Sequence, residues 1–159
     1  MTFSICRADE TDLDALAPLF DAYRQFYAQP SDLPRARRWL AERMARGESV
    51  VLLAKDADGE IVGFTQLYPM FSSVRTARLW ILNDLFVASH ARRSGIARAL
   101  LEAAAEFARD DGAAAIMLET GRDNAAARAL YRAAGWSEDD SQWYSLALAG
   151  LSPARPAAG

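Results

Sequence analysis

Trp80 to Phe107, WILNDLFVASHARRSGIARALLEAAAEF, is the stretch whose reading decides the fold. Its first part, Trp80 to Val87, is a nearly continuous apolar run, which predicts a central strand covered on both faces. A polar turn, Ala88 to Ser94, leads into a helix whose apolar positions Ile96, Leu100, Ala104 and Phe107 recur at helical spacing. Backbone N–H groups at a helix start have no partner within the helix and carry the positive end of its dipole. Gly95 and Ala97 keep the side chains small there, while Arg92, Arg93 and Arg98 add full positive charge. Strand, turn and helix together predict a seat for a phosphate-like anion, built from Arg92, Arg93, Ser94, Gly95, Ile96, Ala97 and Arg98.

On the N-terminal side of this stretch, Phe3 to Arg7 reads as a short strand. Leu13, Leu16, Phe20, Tyr23 and Tyr27 then fall on one face of a helix capped by Thr11 or Asp12. Gln29 to Asp32 breaks it, and Leu33 to Arg46 forms a second helix with Trp39, Leu40 and Met44 on its buried side. Ser49 to Lys55 and Glu60 to Tyr68 read as strands joined by the hairpin turn Asp56-Ala57-Asp58-Gly59. Gly63, inside the second of these, predicts a bulge or a close backbone approach. Pro69 to Ser73 reads as a loop before the long strand Ala77 to Val87.

On the C-terminal side, Gly112 closes the central helix, and Ala113 to Thr120 is a buried strand. That strand returns parallel to the one before the helix, through a right-handed crossover. Asp123 or Asn124 opens a last long helix that runs to Ala134, and Gln142 to Leu148 alternates as a closing strand. The expected fold is therefore α/β: a mixed sheet of six to seven strands with four helices, the first strands antiparallel and a parallel pair at the centre. Residues 1–149 read as one domain, and 150–159, small and proline-rich, as a disordered tail.

A chain of 159 residues with 52% hydrophobic and 25% charged residues is long enough to bury one sizeable core. Cys6 is the only cysteine, which excludes an intramolecular disulfide and a cysteine-based metal cluster, and suits a reducing cytoplasm. It reads as a small buried thiol in the first strand. His90 is the only histidine, and no metal site is expected; in a polar loop it reads as solvent-exposed. No run of about 18 apolar residues predicts a membrane span, so a soluble cytoplasmic protein is expected. The net charge of −3 argues against a general nucleic-acid binder and favours meeting a cationic substrate such as an amine.

Arg92, Gly95 and Ala97, following Leu85-Phe86-Val87, resemble the Arg/Gln-x-x-Gly-x-Gly/Ala pyrophosphate loop of the GNAT superfamily of acyl-CoA-dependent N-acetyltransferases. A second block is similar to that family too: Glu119-Thr120 closing a strand, then Asn124, then Tyr131, then Gly135-Trp136 in place of the usual Gly-Phe. The resemblance spans roughly residues 3 to 148. It implies a GNAT-like fold whose central parallel strands splay beyond Val87 and Glu119, with acetyl-CoA as acyl donor and coenzyme A as product. The backbone of Leu85, Phe86 and Val87 would pair with the pantetheine arm and polarise the thioester carbonyl. Tyr131 would protonate the departing thiolate, which suits a phenol whose ordinary pKa of about 10 leaves it protonated at neutral pH. Tyr131 also fits an aromatic packed on the sheet, and Asn124 reads either as a hydrogen-bond partner of the pantetheine or as a plain helix cap.

An attacking amine must lose a proton, and Asp84 and Glu119 are the candidate bases on the two central strands. Polyamine-type relatives carry a Glu-Asp pair where this chain has Asn83-Asp84, a departure that leaves the identity of the base open. Tyr23, Tyr27 and Trp39, with Tyr68 and the Phe71-Ser72-Ser73 stretch, suggest an aromatic pocket for a small amine or a lysine-bearing peptide. Direct attack in a ternary complex is expected, with no covalent enzyme intermediate. A non-catalytic acyl-CoA sensor is the alternative, and it would have no use for Tyr131. Relatives that dimerise through late strands make a homodimer possible, with Trp136, Trp143 and Tyr144 suited either to such an interface or to the core.

Overall fold

The computed structural model describes residues 1–148. Its described residues form five strands and four helices: β1 (Phe3–Arg7), α1 (Leu13–Phe26), α2 (Leu33–Ala45), β2 (Val50–Asp56), β3 (Ile61–Ser72), β4 (Ala77–Val87), α3 (Ile96–Asp110), β5 (Ala115–Met117) and α4 (Ala125–Ala133). The strands lie in sequence order in one sheet. β1 to β4 pair antiparallel, and β5 returns parallel to β4 through α3, as the crossover rule requires. The expected mixed sheet with a parallel pair is therefore present, but among the described residues the pair lies at one edge of the sheet and not at its centre, because no strand pairs with the far side of β5.

Both faces of the sheet are covered, which is why β2, β3 and β4 are apolar nearly throughout. On one face Ile96, Leu100, Leu101 and Ala104 of α3 pack on Leu52, Val62 and Leu82. On the other, Leu16 and Phe20 of α1 and Ala36 and Leu40 of α2 pack on Val51, Leu53 and Phe64. Burying such side chains contributes about 1.5–3 kcal/mol each against leaving them in water. Gly63 is the close approach that the sequence suggests: a Cβ there would meet Ile96 Cγ2 at 3.0 Å and the Phe86 carbonyl oxygen at 3.2 Å. The absent side chain lets α3 settle on β3.

Several local expectations are corrected. The strand expected over Gln142–Leu148 is absent: residues 141–148 are irregular, and Trp143 and Tyr144 are 69% and 90% exposed. Alternation becomes a strand only where a neighbour offers unpaired backbone groups, and β5 is only three residues long rather than the expected run from Ala113 to Thr120. This accounts for five strands in place of six to seven. Trp136, by contrast, packs on the core with its ring 6.3 Å from that of Tyr131. Pro69 to Ser72 is strand, not loop, paired with β4. β2 ends opposite Leu67, so β3 beyond that point has a neighbour on one side only and tolerates a proline. Cys6 is half-buried, and Trp39 is 45% exposed instead of lying on the buried side of α2. His90 is exposed, as its loop position suggests. The expected tail, 150–159, lies outside the described residues. Among those described, no helix is long and apolar enough to cross a membrane.

Candidate active site

β4 and β5 pair only from Leu79↔Ala115 to Ile81↔Met117. Beyond that the strands part, and a cavity of about 510 Å³ opens between Leu85, Phe86 and Val87 on one side and Leu118, Glu119 and Thr120 on the other. Ala88 N–H bonds the Val62 carbonyl at 2.9 Å, which sets the alternation of the antiparallel ladder: Phe86 directs its backbone groups to β3, while Leu85 and Val87 turn theirs into the cleft. The Val87 carbonyl is already taken by Arg92 Nε at 3.2 Å. Leu85 therefore presents an open N–H and C=O and Val87 an open N–H, while Phe86 lends its ring rather than its backbone.

Arg92, Arg93, Gly95, Ile96, Ala97 and Arg98 line the same cavity at the start of α3. The chain enters this helix with Arg93 at φ 60° and Gly95 at φ 84°, the left-handed region that glycine adopts freely. No side chain caps α3 and no acidic residue lies in its first turn, whereas α2 and α4 are capped by Asp32 and Asn124. Ser94 spends its hydroxyl on the Ala91 carbonyl. The first N–H groups of a 15-residue helix thus face a cavity flanked by three guanidinium side chains, and this arrangement fits a pyrophosphate.

Tyr131, on α4, lines the cavity beside Thr120. Burial, and then the neighbouring Tyr27, push its phenol above the ordinary tyrosine value, partly offset by Thr120, so it stays protonated at neutral pH. Asn124 also lines the cavity and caps α4, its Oδ1 accepting the Ala127 N–H at 3.1 Å, which leaves its amide NH₂ and one oxygen lone pair for a ligand. Tyr27 and the exposed Glu119 line this cavity as well.

A second cavity, of about 320 Å³, lies against the α1–α2 side. Tyr23 and Asn83 line both, so one ring and one strand residue separate them. The register of β3 and β4 slips between Gln66 and Leu67, leaving Asn83 as a bulge without a partner on β3. That bulge decides the direction of Asp84, which lines the second cavity and not the first.

The Asp84 carboxyl is 3% exposed, accepts from Gln66 Nε2 at 2.6 Å and from Asn83 Nδ2 at 2.9 Å, and is raised above the usual carboxylate range by burial, against those hydrogen bonds. The Tyr23 hydroxyl sits against this carboxyl and 3.5 Å from the Asn83 carbonyl oxygen; burial and then Asp84 raise its pKa. Tyr68 completes the wall, accepting from Trp39 Nε1 at 3.2 Å, and its hydroxyl is pushed up to about 12 by burial and by Asp84.

The aromatic pocket therefore forms around Tyr23, Trp39 and Tyr68, but Tyr27 falls on the donor side, and Phe71, 70% exposed beside Arg78, lines neither cavity. Sequence reasoning missed Gln66, whose signal was a lone amide within the apolar strand Val62–Leu67, and the bulge at Asn83, whose signal was the strand-disfavouring pair Asn83-Asp84 inside an apolar run.

Comparison with known proteins bears on the family and the fold. The family model described as acetyltransferase (GNAT) family matches residues 13–136. The chain is similar to uncharacterized N-acetyltransferase YhfO of Bacillus subtilis, 48% identical over 136 residues that cover 86% of this chain and 91% of that one. It is 30% identical over 108 residues to an aminoglycoside N(6')-acetyltransferase type 1 of Stenotrophomonas maltophilia, covering 66% of this chain and 71% of the relative. A crystal structure of a probable acetyltransferase superposes with TM-score 0.89 at 41% identity, covering 93% of this chain and 99% of that one. A splayed parallel pair, an uncapped helix start behind it and a family match over most of the chain lead to one assignment: the protein belongs to the GNAT family of acetyltransferases, which draw their acyl group from an acyl-CoA.

Proposed function

We propose that the protein transfers an acetyl group from acetyl-CoA to the primary amine of an acceptor, by direct attack while both are bound. The observation that carries this reading is the arrangement around Asn83: Tyr131 and the uncapped start of α3 line one cavity, and the buried Asp84 carboxyl lines the other. Bound acetyl-CoA would supply an acyl group activated as a thioester. The α3 start, with Arg92, Arg93 and Arg98, would hold its pyrophosphate, and the open edge at Leu85 would fix the pantetheine as an added strand does. The Leu85 N–H would also polarise the thioester carbonyl, the role of a fixed donor aimed at developing charge.

Tyr131 would give its proton to the departing sulfur, which its raised pKa leaves it able to do at neutral pH. Asp84 would take the proton from the incoming ammonium, because a carboxyl raised by burial holds a proton more readily than a surface one. Tyr23, Trp39 and Tyr68 would enclose the acceptor, with Tyr27 and Glu119 on the donor side of the wall. A named relative acts on aminoglycosides, which supports a small-molecule amine.

Calorimetric titration with acetyl-CoA, followed by an assay of amine-dependent thiol release, tests the reading. Binding followed by release that depends on an added amine is expected. Failure of the wild-type protein to bind acetyl-CoA would overturn it, and binding with no release for any amine would point to a sensor.

A further inference from the structure

The smaller cavity has a polarity that amine acetylation alone does not require. At its buried end stands the Asp84 carboxyl, and at its exposed end the first turn of α2, where Arg35 lines it. The other charges nearby are engaged. Arg24 pairs with Asp21 at 3.1 Å, and Asp21 also accepts from Gln25, Ser31 and the Asp32 N–H. Asp32 caps α2 by accepting the Arg35 N–H at 3.0 Å. Arg43, 4.4 Å over the Trp39 ring, pairs with Glu42 and Glu48. Of the charged side chains lining this cavity, Arg24 pairs with Asp21, and Asp84 accepts from the neutral amides of Gln66 and Asn83; among the described residues the Arg35 guanidinium has neither a salt-bridge nor a hydrogen-bond partner. Between the two ends the walls are the rings of Phe20, Tyr23, Trp39 and Tyr68.

We propose that this cavity takes a small zwitterionic acceptor, a primary amine joined by a short hydrocarbon to a carboxylate, with the amine at Asp84 and the carboxylate on Arg35. The inference rests on the acetyltransferase reading and adds the class of acceptor. A cavity of about 320 Å³ lies at the small end of the range for ligand pockets, which suits a compact acceptor. A diamine would bring a second positive charge against Arg35, and a simple alkylamine would leave that guanidinium unanswered.

Thiol release is measured with short unbranched ω-amino acids, and with the diamines and alkylamines of the same chain length, on wild-type protein, Arg35→Gln and Arg35→Glu. An acidic residue in the first turn of a helix suits its dipole, so Arg35→Glu keeps the fold. The wild-type protein is expected to favour the amino acid over the matched diamine by about tenfold in kcat/KM, the size of one hydrogen bond to a charged group. Arg35→Gln makes the two equal and Arg35→Glu reverses their order, while KM for acetyl-CoA stays unchanged in both. A wild-type preference for the diamine, or an unchanged ratio in Arg35→Glu, overturns the proposal.

Titration of the same amino acids into protein loaded with coenzyme A, and into protein alone, reads the cavity without turnover. Binding weakened by Arg35→Glu supports the zwitterion site even where no amine releases thiol, a result that sinks the transfer reading alone. Absence of binding for every amino acid overturns the zwitterion site, whatever acetyl-CoA does.

Discussion

The two cavities meet at Tyr23 and Asn83 but are made of different material. The larger one works with main chain: the unpaired edge of β4 at Leu85, the uncapped start of α3 and a glycine at positive φ, with arginines for charge. The smaller one works with side chains, a buried carboxyl and four rings drawn from α1, α2, β3 and β4. Backbone groups are the same for every residue type, so a ligand shared by a whole family can be held that way while the sequence drifts. Side chains differ, so on the proposed reading discrimination among acceptors falls to the smaller cavity.

Tyr131→Phe tests the larger cavity most severely. Removing the proposed acid should lower kcat by about 10³-fold, with acetyl-CoA affinity by calorimetry unchanged. Full activity in this variant would break the assignment of acid and base to opposite cavities.

Asp84→Asn should lower kcat by about 10²-fold and remove the acidic limb of the pH profile of kcat/KM, because only the ionised carboxyl accepts the amine's proton. It also separates catalysis from stability. The folded-state pKa lies above the unfolded value, so the native state binds the extra proton, and the stability it contributes is present below pH ~4 and lost as pH rises through the raised folded value. Urea melts across that range should fall with pH in the wild-type protein and lie flatter in Asp84→Asn. Identical pH dependence in the two would show that Asp84 is not held as its surroundings imply.

Gly95→Asp should weaken acetyl-CoA binding roughly thirtyfold, about 2 kcal/mol, by placing a carboxylate where phosphate oxygens would sit and by forcing a side chain into the left-handed region. Acceptor binding in the smaller cavity should not change, and a loss there would merge the two sites into one. Gly63→Ala is the mildest: its Cβ meets Ile96 and the Phe86 carbonyl, so about 1–3 kcal/mol of stability should go, read by urea melts. KM for the acceptor should move less than KM for acetyl-CoA, since α3 carries the seat of the donor alone.

What was legible in the sequence was contiguous. Trp80 to Phe107 holds the strand, the turn and the helix start side by side, so the anion seat from Arg92 to Arg98 follows from local spacing, and the structure brings all but Ser94 of it to one cavity wall. Asp84 and Glu119 were legible as carboxyls on adjacent central strands, but not which way either points. A one-residue slip reverses the face of every side chain beyond it; Asn83 and Asp84 are poor strand formers, but that alone does not say which residue the slip at Gln66/Leu67 leaves unpaired. Trp39 misled for a related reason: its ring belongs to the helical stripe, yet it leans outward to Tyr68 and beneath Arg43. Trp143 to Leu148 misled in the opposite sense, since alternation states a preference for a sheet edge without supplying one.

The sequence by itself determined the order of the five described strands and four helices, the parallel crossover and the arginine-flanked helix start proposed to seat an anion, because each depends on dihedral preferences and hydrogen-bond needs of residues next to one another in the chain. Only the tertiary structure decided that Tyr23, Trp39, Tyr68 and Asp84 share one cavity while Leu85 and Tyr131 share another. Those groupings depend on a bulge, on where β4 and β5 stop pairing, and on how α1 and α2 lie across the sheet, and each of these is settled by packing among residues far apart in sequence.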